Sequence, residues 1–441
     1  MLVEAPLEDT KDDERHRIEG KASLREGATN DECFPGERVL GRGERMAQRN
    51  LALLVLARRV ARGNASIVGS CRHLQGDETP DHANSLSRTS RDGDPPSNRL
   101  TPVTTTGHLE APGEPTGEGP AGSITYLEAI RAALADAMHE DTRVFLMGED
   151  IGAFGGAFGV TAGLLDEFGE ERVIDTPISE EGFVGAAIGA AWMGERPVVE
   201  LQFADFITCP FDPIVTVAAK THWRSGQAIP LVIRCPTGGG VRGGPVHAGS
   251  PEGWFIGTAG LKVVCPGTVE DAYGLLRAAI EDPDPVLYFE HKRLYRTLKA
   301  EQPPASHRTP IGPAHVVREG SDVTVVTYGS GVTTALGAAE CVDGDVEIVD
   351  LRTVWPIDQR AVLTSLEKTS RVLVLQEAAR SIGAAGLVLS LIARKGFELL
   401  DAPPALHAPP DTPVPFAPEL EDAYMPSVET TAAALRDLLG Y

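Results

Sequence analysis

Basic residues are scarce in this chain. Its 441 residues hold 40 Lys and Arg against 63 Asp and Glu, a formal net charge of −23. That balance repels phosphate backbones and anionic lipid, so neither nucleic acid nor a membrane surface is an expected partner. Long hydrophobic runs are missing too: no apolar stretch approaches the roughly 20 residues of a membrane-spanning helix. The six cysteines (Cys33, Cys71, Cys209, Cys235, Cys265, Cys341) are scattered, with no CxxC pair. This excludes a disulfide framework and a structural zinc site, and it predicts buried thiols in a reducing compartment.

What is there suffices for two or three domains with real apolar cores, since 42% of the residues are hydrophobic. Residues 1–121 stand apart. They are rich in charge, Gly, Pro, Ser and Thr, a composition that cannot bury enough apolar surface to offset ordering entropy, so a disordered low-complexity extension is expected. Within it, the run 50–62 reads as an isolated basic helix, like an Arg-rich targeting segment counted from Met46. The acidic run Glu8, Asp9, Asp12, Asp13, Glu14 argues against targeting; a misassigned start or a plain extension fits better.

From about residue 122 the chain alternates strand and helix. Thr125-Tyr-Leu-Glu128 is a capping box that opens a helix to about 139. Strands are predicted at 143–148, 197–202, 229–234, 261–265 and 286–290, with helices at 211–223 and 269–281. The glycine-rich run 152–159 predicts a flexible loop, and with no Gly-Lys-Ser/Thr after it, it is not a phosphate loop of the Walker type. Glu301 to Pro313 holds four prolines and reads as a linker. Strands at 322–328, 346–350 and 371–376 follow, with helices from 330, 358, 383 and 428, and a proline-rich tail at 409–418. The expected fold is therefore α/β: mainly parallel sheets covered on both faces, with a larger domain at 122–303 and a smaller one at 304–441.

One run stands out inside this alternation. Asp175-Thr-Pro-Ile-Ser-Glu-Glu-Gly-Phe183 leads into the Gly/Ala-rich segment ending at Trp192. Such a segment is expected to pack closely on a neighbour and to place Glu180 or Glu181 at the edge of a dry interior. From pattern alone a plain acidic helix start is the better account of the pair.

Five pieces recur in one order across both halves: Ile178-Ser179-Glu180 before Gly182-Phe183, Gln202-Phe-Ala-Asp-Phe206, His247 before Ser250-Pro251-Glu252, Gly260-Leu-Lys-Val-Val264 and Val349-Asp-Leu-Arg-Thr353. Together they resemble the β subunit of the E1 component of 2-oxoacid dehydrogenase complexes, of branched-chain or pyruvate type, which depends on thiamine diphosphate and is related to transketolase. The resemblance runs from about 124 to 441 and leaves the extension out. It implies a transketolase-like pyrimidine-binding domain followed by a smaller C-terminal domain.

It also implies roles. Glu180 matches the carboxyl group that hydrogen-bonds the cofactor's pyrimidine nitrogen, and Glu181 is left as a surface or capping residue. Gln202 and Phe206 match pocket residues, Phe206 standing where the family often has Tyr. His247 matches the active-site histidine that transfers protons. A potassium ion held largely by main-chain carbonyls maps to Ile229, Leu231, Val232, Ala279, Asp282 and Asp284, although Asp282-Pro-Asp284 also reads as a plain helix end. The family's diphosphate and magnesium motif, Gly-Asp-Gly with a later Asn, is absent from both folded halves; Arg91-Asp-Gly-Asp94 lies in the extension. The resemblance thus implies an E1 α subunit that holds the magnesium, an α2β2 heterotetramer, and an E2 lipoyl acyltransferase as the acceptor. A bacterial cytoplasmic setting is expected, with the mitochondrial matrix as the alternative. Competing functions are an acetoin dehydrogenase β subunit and a non-catalytic scaffold.

Overall fold

The computed structural model describes residues 122–441. The 1–121 extension, with its 50–62 run, its Arg91-Asp-Gly-Asp94 and two of the cysteines, lies outside the described residues. In chain order the first elements are β1 (Ser123–Thr125), α1 (Tyr126–Glu140), β2 (Val144–Gly148), β3 (Val173–Asp175), α2 (Glu180–Trp192), β4 (Arg196–Glu200), α3 (Ala219–Ser225), β5 (Val232–Thr237), β6 (Lys262–Val264), α4 (Val269–Glu281), β7 (Val286–His291) and β8 (Lys299–Glu301). Then come β9 (His315–Arg318), β10 (Val323–Thr327), α5 (Gly331–Ala339), β11 (Val346–Asp350), β12 (Thr353–Trp355), α6 (Gln359–Thr369), β13 (Val372–Leu375), α7 (Ala385–Leu391), β14 (Ala405–His407), α8 (Pro418–Tyr424) and α9 (Val428–Leu439).

The capping box forms as the sequence requires. Thr125 Oγ1 accepts the Glu128 N–H at 3.1 Å, and Glu128 Oε2 accepts the Thr125 N–H at 2.7 Å. The large sheet has the order β12-β6-β7-β5-β4-β2-β3, all parallel except the β12–β6 pair. The smaller sheet runs β14-β13-β10-β11-β9, antiparallel only at β9. Strand β5 is buried at every position because helices cover both faces. Val198, Val232, Val286 and Tyr288 point into one core, and Val199, Ile233, Leu287 and Phe289 into the other. The second core runs on without a break into Val326, Val349 and Val354 of the C-terminal half.

Three expectations need correction, and a fourth is refined. The strand read at 229–234 begins only at Val232, because Pro230 has no N–H to give a ladder. The helix read at 211–223 does form, but its middle, Pro213–Ala218, winds as a π-helix before α3. The glycine face of α2 does not pack against the described residues: added methyl groups at Gly185 and Gly189 would meet nothing within 4 Å, while Phe183, Val184, Ala187 and Ile188 on the other face are buried. The thiols of Cys235 and Cys265 are buried, but those of Cys209 and Cys341, in a short loop turn and just past the end of α5, are exposed.

Candidate active site

In an open parallel sheet, side chains gather beyond the carboxyl ends of the strands, most of all where the strand order reverses. Here the reversal falls between β2 and β4. Asp150 lies just past β2, and Gln202 just past β4; Gln202 Nε2 donates to Asp150 Oδ2 at 2.9 Å. Asp150 sits at φ 57°, a left-handed turn that brings the chain sharply off the strand end. Glu149, immediately before it, is 3% exposed, and its Oε1 finds no partner. Burial and the neighbouring charge of Glu180 push the Glu149 carboxyl up to about 7, against a hydrogen bond from the Ser179 main chain.

Glu180 itself is the first residue of α2 and is half-buried, with Glu181 exposed beside it. Ser179 makes no side-chain cap, so the helix start is left to the two carboxyl groups. Cys209, whose N–H donates to Phe206 O at 3.0 Å, lies within reach of the same charges. Burial and then Glu180 raise its thiol. The 202–209 segment thus ties Glu180 to the second part of the site.

That second part is a cluster of rings. His247 meets Phe203 edge-to-face at 4.6 Å between centroids and Phe206 at 5.6 Å, while Phe203 meets Phe158 at 5.5 Å. Each contact is T-shaped, the arrangement that the ring quadrupole favours. Phe158 belongs to the glycine-rich run expected to be flexible. In the structure that run is tied down: Arg131 donates to the carbonyls of Gly159 and Val160, and Arg296 to that of Phe158. On the far side of Phe203 lies Lys292, its Nζ 5.9 Å from the ring centroid. Lys292 is 2% exposed, and burial lowers its ammonium to about 8 against the pull of Asp205.

Beneath these groups Arg234, in the middle of β5, is 1% exposed. A buried guanidinium needs partners; it has Glu200 on β4 and Glu290 on β7, and Glu290 also accepts the Tyr295 hydroxyl at 2.7 Å. The three strands are locked together by this group at the level where the site begins.

The six positions matched to potassium meet at one corner away from this cluster: Ile229 N donates to Pro283 O at 3.0 Å. The side chains there are engaged. Lys262 Nζ lies 2.6 Å from Asp282 and 3.2 Å from Asp284, and His222 Nδ1 lies 2.5 Å from Asp284. Ion binding would fall to main-chain oxygens. Those of Ile229, Leu231 and Ala279 each accept one N–H and keep a second lone pair.

Of the residues expected from sequence, Phe206 and His247 meet directly, Gln202 bonds Asp150, and the charge of Glu180 acts on Glu149 and Cys209. Sequence reasoning passed over Glu149, Phe203 and Lys292. The signal for Glu149 and Lys292 was position alone, a charged residue at or just past the end of a predicted buried strand.

The transketolase pyrimidine-binding domain family matches residues 122–297, and the transketolase C-terminal domain family matches 312–430. The chain is 46% identical to the 2-oxoisovalerate dehydrogenase subunit beta of Bacillus subtilis over 71% of this chain and 98% of that protein. It is 42% identical to the acetoin:2,6-dichlorophenolindophenol oxidoreductase subunit beta of the same organism, over 72% and 97%. It is 44% identical to the pyruvate dehydrogenase E1 component subunit beta of Acholeplasma laidlawii, over 71% and 98%. Among solved structures, a split-gene transketolase, described as an inactive beta4 tetramer, superposes with a TM-score of 0.59 at 21% identity. It covers 72% of this chain and 98% of that one, a likeness of fold. With both transketolase domains present in order and whole-length relatives above 40% identity, the chain belongs to the family of E1 β subunits of thiamine-diphosphate-dependent 2-oxoacid dehydrogenases.

Proposed function

We propose that this chain is the β half of a split active site that decarboxylates a 2-oxo acid and passes the acyl group to a lipoyl carrier. The observation that supports this reading is that Glu180, Gln202, Phe206 and His247 all lie in segments leaving the carboxyl ends of parallel strands of one sheet, β3, β4 and β5. Ile178, two residues before Glu180, is 84% exposed, Phe154 in the loop after β2 is 74% exposed, and Gly185 and Gly189 of α2 have open space around them among the described residues. Apolar surface of this kind calls for a partner chain, and an α subunit fits it, contributing the diphosphate and magnesium half of the site in an α2β2 assembly.

Bound thiamine diphosphate supplies a nucleophilic carbon that adds to the keto group. Everything else in this reading is done by the chain's own residues. Glu180 would hold a proton on the pyrimidine nitrogen, next to Glu149, whose carboxyl is raised by burial and by the charge of Glu180. Phe206 offers a ring face or edge to the heterocycle. Gln202, steadied by Asp150, borders the same pocket. His247 gives or takes protons at the substrate oxygen, its imidazole oriented by Phe203 and Phe206. The chemistry of these residues suits the cofactor: a buried carboxyl oxygen without a partner, an edge-to-face ring cluster and a half-buried acid.

Branched-chain 2-oxo acids are the preferred substrates in this reading, with pyruvate next; the E2 lipoyl acyltransferase is the acceptor, and the bacterial cytoplasm the setting. Potassium, by the same reading, takes main-chain oxygens at the 229–232 and 279–284 corner. The chain divides as 1–121, 122–303 and 304–441. A second reading, acetoin cleavage, draws on the relative of that name. The chain assembled with its α subunit should turn over 2-oxoisovalerate faster than pyruvate or acetoin, and Glu180→Gln should abolish turnover while leaving assembly intact. Turnover by the isolated chain with thiamine diphosphate and magnesium would sink the split-site reading. Full turnover by the Glu180→Gln complex would make the chain a scaffold.

A further inference from the structure

The loop that carries His247 is not held by its own sheet. Residues 238–244 leave the end of β5 as a run of five glycines, one valine and one arginine, so almost no side chain is available to anchor it. A loop of this kind is fixed by whatever accepts its main-chain donors, because buried N–H groups do not go unpaired. Here the acceptors come from the second domain. Gly239 N donates to Glu377 Oε1 at 2.6 Å, Gly240 N to Glu421 Oε1 at 2.9 Å, and Arg242 N to Glu421 Oε2 at 3.1 Å.

Glu421, on α8, is completely buried. Besides the two main-chain donors it takes the Arg242 guanidinium at 2.9 Å, and the same guanidinium forks onto Asp422 and caps the Pro418 carbonyl. Arg242 stands at φ 60°, so the carboxyl group holds this residue in a turn that its own backbone disfavours. The approach is too close for larger residues: a methyl group at Gly239 would come within 2.8 Å of Met425 Sδ, and one at Gly244 within 2.6 Å of the Phe416 ring.

The loop in turn backs directly onto His247, since a methyl group at Gly243 would lie 2.9 Å from the His247 carbonyl oxygen. Downstream, Gly249 returns to the start of the loop. Its carbonyl accepts Gly238 N at 3.0 Å, and its N–H donates to Asp205 Oδ2 at 3.2 Å. His247 therefore sits on a small closed turn with three fastenings. One is Asp205 in its own domain; the other two, Glu377 and Glu421, belong to the C-terminal domain.

From this geometry we infer that Glu421 is a positioning residue for His247, acting across the domain boundary through the 238–244 loop. The inference rests on the proposed role of His247. It gives the C-terminal domain a part in the chemistry, although that domain supplies no group to the ring cluster around His247. Removing the carboxylate charge leaves the loop donors with a poorer acceptor and frees Arg242 to relax, which moves the imidazole relative to Phe203 and Phe206. Displacements of about 1 Å at such a group cost on the order of 100-fold in rate.

The test is a double-mutant cycle in the enzyme assembled with its α subunit, using Glu421→Gln, His247→Asn and the two together. Glu421→Gln is expected to lower kcat for 2-oxo acid turnover on the order of 10- to 100-fold, with KM moving less than about 3-fold. In the His247→Asn background the same change should cost less than about 2-fold, because the group it positions is already gone. Equal losses in both backgrounds would overturn the inference, as would wild-type kcat in the single variant. Should Glu421→Gln fail to assemble, as read by size-exclusion chromatography, Arg242→Gln loosens the same loop from its half-exposed side; it must show the same dependence on His247 or the inference falls. If His247→Asn alone keeps full activity, it is the role proposed for His247 that fails, an outcome distinct from additivity in the cycle.

Discussion

Glu252 follows the His247 turn by five residues and is 2% exposed. Its Oε1 accepts the Tyr328 hydroxyl at 2.8 Å across the domain boundary, and its Oε2 has no partner. Burial pushes this carboxyl from 4.5 up to about 7, against the Tyr328 bond. An acid whose pKa is raised by folding keeps its proton longer in the native state, so the native state binds more protons between these two values. Its contribution to stability is therefore fully present below about pH 4.5, is lost as pH rises to about 7, and is level above that. At about 1.36 kcal/mol per unit the loss is about 3 kcal/mol. Replacing Glu252 by Gln keeps an oxygen for Tyr328 and removes the titration. The variant should match the wild type near pH 4.5 and exceed it by about 3 kcal/mol at pH 8. Urea unfolding of the full chain at half-unit pH steps, wild type against variant, gives the difference directly. Other raised acids, Glu149 and Asp350 among them, are common to both proteins and cancel. A difference that stays within about 1 kcal/mol from pH 5 to 8 would refute the reasoning, because desolvation on this scale cannot be silent.

Arg234→Met should destabilise the chain by about 3–5 kcal/mol in urea unfolding, since it strands Glu200 and Glu290 in the interior; a loss under about 1 kcal/mol would mean that water reaches them. Phe203→Ala removes the ring between Phe158 and His247. In the assembled enzyme it should reduce kcat by about 10-fold or more while Phe203→Tyr retains most of it, and equal kcat in both would disprove the orienting role. Exchange of potassium for sodium should lower the thermal midpoint of the assembled enzyme by a few degrees, about the shift of a 1 kcal/mol loss; an unchanged midpoint removes potassium from the proposal.

Much of the site was legible because its residues fall where local pattern dictates. The capping box at Thr125, the buried runs that became β2, β4 and β7, and the helix over 269–281 follow from periodicity and cap chemistry, which are properties of neighbouring residues. The order Glu180, Gln202, Phe206, His247 could be matched to a family because spacing survives where structure is unseen. The roles of Phe203, Lys292 and Glu421 could not be read in this way. Phe203 lies inside the 202–206 run but was given no role there, Lys292 and Glu421 belong to no motif, and each acts on a residue far along the chain: Lys292 on Phe203, Phe203 on His247, Glu421 on Gly240 and Arg242. The missed strand β12 is a similar case, three residues of the C-terminal half that pair with β6 of the other sheet.

By itself the sequence determined the α/β class and the family, since these are written in short-range pattern and spacing, and it supplied Glu180 and His247 as the proposed acid and histidine. The tertiary structure alone decided which charges are buried and which faces stay bare. The Gly/Ala run 182–191 looked like a packed core helix, yet Gly185 and Gly189 meet nothing among the described residues. A helix can announce that it is able to pack closely; only the fold says whether the partner lies within the same chain. The same holds for Glu149, Glu252 and Glu421, identical in kind to dozens of surface acids, whose chemistry is set by the water that the surrounding elements exclude.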